Sequence, residues 1–145
     1  MKIYLDNCCY NRPFDDQLQE RIYLESEAIL SILKRGESKW FEILSSPILQ
    51  LEMDNMKDEE KQTKVKNLYQ IAKNEVPYNA IIKKRSEEIT QQSKIRNFDS
   101  LHIATAEYAN ADVLLTTDDK LEKMASNLDL KVKVQNPLKF ILEVL

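Results

Sequence analysis

Short apolar segments alternate with helical segments along this chain of 145 residues. The apolar runs are Ile3–Leu5, Trp40–Leu44, Val113–Leu115 and Val132–Val134, and each is bounded by polar residues. Such short runs are typical of strands that are buried on both faces. Between them, apolar residues recur at helical spacing, as they do from residue 18 to residue 33. Strands that alternate with helices favour an α/β domain with a parallel sheet.

Turn and cap residues delimit the predicted helices. Gly36 ends the first long helix, and Ser46-Pro47 and Asn136-Pro137 begin two others, because proline is favoured in the first helical turn. The remaining helices are predicted over residues 58–74, 79–93 and 98–109 and in a short segment that ends at residue 128. No repeat, linker or low-complexity tract divides the chain, so we expect one domain over residues 1–145.

The composition excludes several classes of protein. The chain has one glycine, whereas a P-loop or a dinucleotide-binding fingerprint needs several at fixed spacing. Its one histidine, His102, cannot supply a histidine-rich zinc site. Cys8 and Cys9 are adjacent, which excludes a zinc ribbon and a disulfide framework and fits a reducing compartment. No apolar run approaches the roughly 18 residues of a membrane span, so we expect a cytoplasmic protein with no membrane partner.

Four acidic residues lie where a buried site would form. Asp6 and Asp118 each follow a predicted strand, and the carboxyl ends of parallel strands meet at one edge of a sheet. Glu52 and Asp99 lie beside the apolar stripes of two predicted helices. A carboxylate against apolar surface is costly unless its charge is compensated, and one shared cation would compensate all four. Mg²⁺ and Mn²⁺ prefer such oxygen ligands, which indicates metal-assisted phosphodiester hydrolysis without a nucleophilic serine or cysteine.

Five short segments occur in a characteristic order along the chain. They are residues 3–7 (IYLDN), 45–52 (SSPILQLE), 98–106 (FDSLHIATA), 114–119 (LLTTDD) and 134–140 (VQNPLKF). In their order, spacing and predicted strand or helix context they resemble the PIN-domain ribonucleases, a family that includes VapC-type toxins. Residues 11–16 (NRPFDD), predicted as a turn, resemble a particular subgroup of that family.

The resemblance implies a fold, a site and partners. The fold would be a three-layer α/β/α domain with a central parallel sheet. The catalytic residues and ligands of one or two Mg²⁺ or Mn²⁺ ions would be Asp6, Glu52, Asp99 and Asp118, with Asn7 and Thr116 beside them as positioning groups. Asp119 is interpreted as a solvated acid in the first helical turn and is only a weak extra ligand. Single-stranded or structured RNA would be the substrate, and a cognate antitoxin and a second copy of the chain would be protein partners.

Structural interpretations of the same acids stay open. Asp118 and Asp99 are each placed to cap the helix that follows. Asp54 is a rival to Glu52 as a ligand, although it lies off the apolar stripe. Asp6 alone is an ordinary acid in a strand-to-loop turn.

Three further features of the sequence have structural explanations. Glu25 interrupts an apolar stripe, which an ion pair with Arg21 or Arg12 would explain, with a role in shaping the site as the alternative. His102 is interpreted as a hydrogen-bonded, partly buried histidine, with a contact to Asp99 or to substrate as the alternative. The basic stretch over residues 83–96 is either a solvated helix face or a guide for RNA phosphates.

The leading hypothesis for function is a metal-dependent endoribonuclease that cleaves single-stranded RNA, and the toxin of a type II toxin–antitoxin pair is one form of it. The alternative is a catalytically silent PIN-like module that binds RNA or protein. A signalling receiver domain is disfavoured because it needs an acidic pair after the first strand. A phosphatase with an aspartate nucleophile is disfavoured because Cys8, two residues after Asp6, occupies the place of its second acid.

Overall fold

Five parallel strands form the central sheet of the computed structural model, which describes residues 1–145, and their order is β3-β2-β1-β4-β5. The strands are β1 (Lys2–Leu5), β2 (Glu42–Ser45), β3 (Asn74–Glu75), β4 (Val113–Leu115) and β5 (Lys133–Gln135). The helices are α1 (Asn7–Asn11), α2 (Glu20–Glu37), α3 (Pro47–Asp54), α4 (Glu59–Tyr69), α5 (Ala80–Gln92), α6 (Asn97–Tyr108), α7 (Asp119–Ser126) and α8 (Pro137–Val144), with a 3-10 helix (Arg12–Phe14) between α1 and α2.

The helices cover the sheet in a three-layer α/β/α arrangement, which confirms the predicted fold class. Helix α2 contacts α8 in one layer, and α5 contacts α6 in the other. None of the helices combines the length and the apolar character that crossing a membrane requires.

The two middle strands, β1 and β4, form the centre of the core. Ile3, Tyr4 and Leu5 are fully buried, and so is every residue of β4. Ile3 pairs with Val113 and Leu5 pairs with Leu115. Because the two strands are parallel and end in register, the chain segments that follow them begin side by side at the same edge of the sheet.

The structure differs from the sequence prediction at the edge of the sheet. The helix predicted over residues 58–74 ends at Tyr69, and Asn74 and Glu75 form strand β3. Both β3 residues are exposed and polar, so they have no apolar pattern that indicates a strand. Their pairing with Leu44 and Ser45 of β2 creates the strand, and that pairing depends on tertiary structure.

Other boundaries shift by a few residues. Strand β2 begins at Glu42 rather than Trp40, because Trp40 is 73% exposed and lies in the preceding loop. Strand β5 begins at Lys133 rather than Val132. Helix α1 was not predicted, since its five residues are too few to show a helical period.

Gly36 lies where the end of α2 passes close to β2. The sequence predicted that Gly36 ends the helix. Instead, Gly36 forms part of the last turn of α2. A Cβ added to Gly36 would lie 2.5 Å from Cγ1 of Ile43, a buried side chain of β2. Cγ1 is attached directly to the branch point of that side chain, so it has little freedom to move away. The missing side chain of Gly36 therefore permits the approach of α2 to the sheet.

The substitution Gly36→Ala is expected to lower the free energy of unfolding by about 1 kcal/mol. The overlap with Ile43 costs roughly 1–3 kcal/mol, which exceeds the helix-propensity advantage of alanine over glycine of about 1 kcal/mol. Urea denaturation of both proteins would measure the difference, with Glu37→Ala at the exposed next position as a control. An increase in stability for Gly36→Ala would contradict this account of the close packing.

Candidate active site

A cavity of about 400 Å³ opens at the carboxyl edge of the sheet. The four acidic residues predicted as ligands all line it: Asp6, Glu52, Asp99 and Asp118. They come from four separate places, which are the junction of β1 and α1, helix α3, the first turn of α6 and the residue before α7. The fold therefore brings together side chains that are far apart in sequence.

Asp6 is the most deeply buried of the four, with 5% of its surface exposed. The hydroxyl of Thr116 donates a hydrogen bond to its Oδ2 atom at 3.1 Å, and the thiol of Cys8 donates to the same oxygen at 3.5 Å. Burial raises the pKa of Asp6; the nearby His102 opposes this shift and the charge of Glu52 adds to it. Thr116 thus orients a carboxylate that burial makes unusually basic.

Thr116 also joins Asp6 to Asp118. Its hydroxyl oxygen accepts a hydrogen bond from the backbone N–H of Asp118 at 3.1 Å. Oδ1 of Asp118 accepts from the N–H groups of Lys120 and Leu121 at 3.0 and 3.2 Å, so the side chain caps α7 as the sequence indicated. Its Oδ2 atom makes no hydrogen bond. One oxygen of Asp118 holds the helix and the other is available to the cavity.

Asp99 does not act as a helix cap. The residue before α6 is Arg96, and Asp99 lies within the first turn with no hydrogen-bond or ion-pair partner for its side chain. Burial, and next the negative charge of Asp6, raise the pKa of Asp99 from 3.8 to about 6. A carboxylate in this position is costly in the absence of a cation.

Glu52 is held by a chain of buried hydrogen bonds that begins at the start of α3. The backbone N–H of Leu49 donates to Oγ of Ser46, which lies 2.8 Å from the hydroxyl of Tyr4. That hydroxyl lies 2.6 Å from Nδ1 of His102, and Nε2 of His102 donates to Oε1 of Glu52 at 2.8 Å. With the proton of a neutral imidazole on Nε2, every donor in the chain has an acceptor.

His102 is 1% exposed and faces two of the four acids. Its Nε2 atom lies 3.8 Å from Oδ1 of Asp6 as well as 2.8 Å from Glu52. Burial by itself lowers the pKa of His102, but the hydrogen bond to Glu52 and the charge of Asp6 outweigh it and raise the pKa above its ordinary value. The predicted hydrogen bonding of His102 is confirmed, but the side chain is almost fully buried rather than partly buried, and its contact is with Glu52 rather than Asp99.

The side chains of the other candidate residues from the sequence make no hydrogen bond to the four acids. Asn7 lines the cavity, but its amide oxygen accepts from the side-chain amide of Asn11, and its side chain makes no hydrogen bond to any of the four acids. Asp119 is exposed and forms an ion pair with Arg21 at 2.5 Å, outside the cavity. Asp54, the rival to Glu52, pairs with Lys66 at 2.6 Å and is also outside it.

A protein-family model described as "PIN domain" matches residues 12–127 of this chain, which is most of its length. The chain belongs to the PIN-domain family. Members of the family are generally nucleases, so this protein is assigned to the hydrolases of the nuclease kind. The matched segment contains Glu52, Asp99 and Asp118, and Asp6 precedes it.

A solved structure shares the fold of this PIN domain. It is described as the crystal structure of VapBC2 from Rickettsia felis bound to a DNA fragment from their promoter. The two chains are 16% identical, the TM-score is 0.60, and the match covers 94% of this chain and 98% of the other. At this level of identity the likeness shows a common fold. No curated protein matches the chain.

The donor atoms of this PIN domain fit a divalent metal ion, which PIN nucleases typically use. None of the ion pairs in the structure joins a lysine or arginine to any of the four acids. Asp99 has no partner, and Asp118 has one oxygen without a hydrogen bond. Atoms of Asp6, Glu52 and His102 that could bind a metal lie within 4.8 Å of one another, a group that includes neither Asp99 nor Asp118. Hard oxygen donors with uncompensated charge favour Mg²⁺ or Mn²⁺.

The substitution Asp99→Asn is expected to stabilise the metal-free protein by about 1 kcal/mol at pH 7, after allowance for solvent screening. Since the pKa of Asp99 is raised to about 6, the folded protein binds this proton more tightly than the unfolded chain. The group therefore favours folding below about pH 4, and this contribution is lost as the pH rises through about 6. Thermal denaturation in EDTA should show an advantage of the variant at pH 7 that disappears near pH 4.

Addition of Mn²⁺ at pH 7 should make the wild type more stable than Asp99→Asn, because an ion that binds only the folded protein raises its melting temperature. The wild type should gain more than Asp99→Asn, and Asp129→Asn, at an exposed acid outside the cavity, should behave as the wild type. Equal gains for all three proteins would contradict the metal site.

The substitution Tyr4→Phe is expected to lower the free energy of unfolding by about 1–3 kcal/mol, because it leaves buried polar groups without partners. Nδ1 of His102 loses its donor, and the hydroxyl hydrogen of Ser46 loses its acceptor, although the Ser46 oxygen still accepts from the N–H of Leu49. Tyr78→Phe, at an exposed tyrosine, should change stability by less than about 0.5 kcal/mol. If urea denaturation gave the same value for both variants, the hydrogen-bond chain would not support Glu52 as described.

Proposed function

We propose that this protein is a metal-dependent endoribonuclease that hydrolyses phosphodiester bonds of single-stranded RNA. Its catalytic residues and Mg²⁺ or Mn²⁺ ligands would be Asp6, Glu52, Asp99 and Asp118. The observation that carries the proposal is that these four carboxylates, from separate elements, line one cavity and that none of them forms an ion pair with a lysine or arginine. Membership of a family of nucleases supports the class of reaction.

Side chains around the cavity orient the carboxylates that would bind the metal ion. A divalent ion bound there would supply an activated water and would neutralise charge on the phosphoryl oxygens. Thr116 holds Asp6 and His102 holds Glu52, so the oxygens of both carboxylates keep a fixed direction. Asp99 makes no such bond, so both of its carboxylate oxygens stay available to the ion or to its water.

We further propose that the protein acts in the cytoplasm as the toxin of a type II toxin–antitoxin pair, with a cognate antitoxin and a second copy of the chain as protein partners. The support is a fold in common with a chain of the VapBC2 complex. Expression of the toxin alone would then stop growth, and expression of the neighbouring antitoxin would restore it.

The substitution Asp6→Asn is expected to reduce RNA cleavage more than about 100-fold while the fold is kept, since loss of groups behind metal ligands already costs roughly 10- to 100-fold. The measurement is cleavage of a mixed single-stranded RNA pool by purified protein with Mn²⁺, with Mg²⁺ and with EDTA. Asp129→Asn, purified in the same way, controls for a change of charge outside the cavity and for contaminating nucleases.

Cleavage by Asp6→Asn at the wild-type rate would contradict the site assignment. Binding of RNA by the wild type without cleavage in either metal would favour the alternative, a catalytically silent binding module. Cleavage that persists in EDTA would contradict the dependence on metal.

A further inference from the structure

The cavity that contains the four acids has a second wall with two cations. Arg12, from the 3-10 helix, and Lys61, from α4, line the cavity together with Asp15. No other lysine or arginine lines it. In the basic stretch over residues 83–96, by contrast, Arg85 is paired with Glu107 and Glu88 and lies in a different cavity.

Two carboxylates hold these cations in place. Oδ2 of Asp15 accepts from Nη1 of Arg12 at 3.3 Å, and its Oδ1 accepts from Nζ of Lys61 at 2.6 Å. Glu25, which is 1% exposed, lies 3.3 Å from Nε of Arg12, and its other oxygen accepts from the side-chain amide of Asn136 at 2.6 Å. The buried Glu25 therefore anchors Arg12, and Asp15 sets the spacing between Arg12 and Lys61.

This anchoring has an electrostatic consequence for the acidic wall. A mobile arginine or lysine beside four carboxylates would fold onto them and take the place of a metal ion. Neither Arg12 nor Lys61 does so, because each is bonded to Asp15 instead. Nη2 of Arg12 makes no hydrogen bond, and Nζ of Lys61 donates only one. Free N–H donors therefore remain on the two cations that line the cavity.

We propose that Arg12 and Lys61 form the subsite for a backbone phosphate of the bound RNA, adjacent to the phosphate that is cleaved. The inference rests on the proposed ribonuclease function and names the residues that position its substrate. Phosphate oxygens are good acceptors for guanidinium and ammonium donors. The acidic wall holds the reaction centre, and the cationic wall fixes the RNA backbone without sequence readout.

The test compares two lysines of the same helix. Lys61 and Lys66 both lie on α4, each pairs with an aspartate at 2.6 Å, and their side chains are 29% and 37% exposed. Only Lys61 lines the cavity. Steady-state cleavage of a fluorescein-labelled single-stranded RNA would be measured with Mn²⁺ at several salt concentrations for the wild type, Lys61→Met and Lys66→Met.

Lys61→Met is expected to raise KM about 10-fold or more with little change in kcat, as loss of one charge-assisted contact implies. The slope of log kcat/KM against log salt concentration should become shallower by roughly 0.7, the value for one contact to a single strand. Lys66→Met should follow the wild type in both quantities. Arg12→Lys, which keeps a cation beside Glu25 but lacks the free Nη2 donor, should also raise KM.

The Mn²⁺-induced rise in melting temperature separates the subsite from the metal centre, and it should be the same in Lys61→Met and the wild type. Identical KM and salt slopes for Lys61→Met and Lys66→Met would overturn the subsite and leave the nuclease proposal intact. A reduced Mn²⁺ effect in Lys61→Met would also overturn it. Absence of metal-dependent cleavage by the wild type would overturn the proposed function and the subsite with it.

Discussion

The parallel pairing of β1 with β4 decides where the acidic groups of this protein can lie. Leu5 pairs with Leu115, and the backbone N–H of Asp6 donates to the carbonyl of Leu115 at 2.9 Å. Asp6 therefore leaves the sheet beside Thr116, whose hydroxyl bonds both its carboxylate and the backbone of Asp118. A shift of the strand pairing by one residue would move these side chains to opposite faces of the sheet and would remove the cavity.

The acids of the candidate site differ from the structural acids of the protein in whether a cation is paired with them. Glu25 and Glu107 are 1% and 6% exposed, and each is paired with an arginine. Asp6 and Asp99, by contrast, have raised pKa values and no lysine or arginine partner. The fold pairs Glu25 and Glu107 with arginines but leaves Asp6 and Asp99 close together without a cation. This arrangement lowers the stability of the metal-free protein, as is typical of functional sites.

The order of residues along the chain predicted that the four acids lie close together at one edge of the sheet, and they line one cavity there. The strands that end before Asp6 and Asp118, and the helical positions of Glu52 and Asp99, were sufficient to group the four acids, because parallel strands end at a common edge. The cationic wall was not predicted, since Arg12 and Lys61 are far apart in sequence and their spacing is set by Asp15. The same holds for His102, whose helical spacing placed it on the side of Asp99 but did not show that it is buried and bonds Glu52.

The sequence by itself determined the α/β class, the parallel sheet and the four acids, because apolar periodicity and strand ends are local properties of the chain. Tertiary structure alone decided the edge strand β3, the chain of hydrogen bonds from Ser46 to Glu52, and which acids have a cation beside them. Asp119 shows the difference: it is adjacent to Asp118 in sequence, yet it pairs with Arg21 outside the cavity. Pairing of charges depends on distances between elements that no local pattern encodes, whereas burial of an apolar stripe is encoded residue by residue.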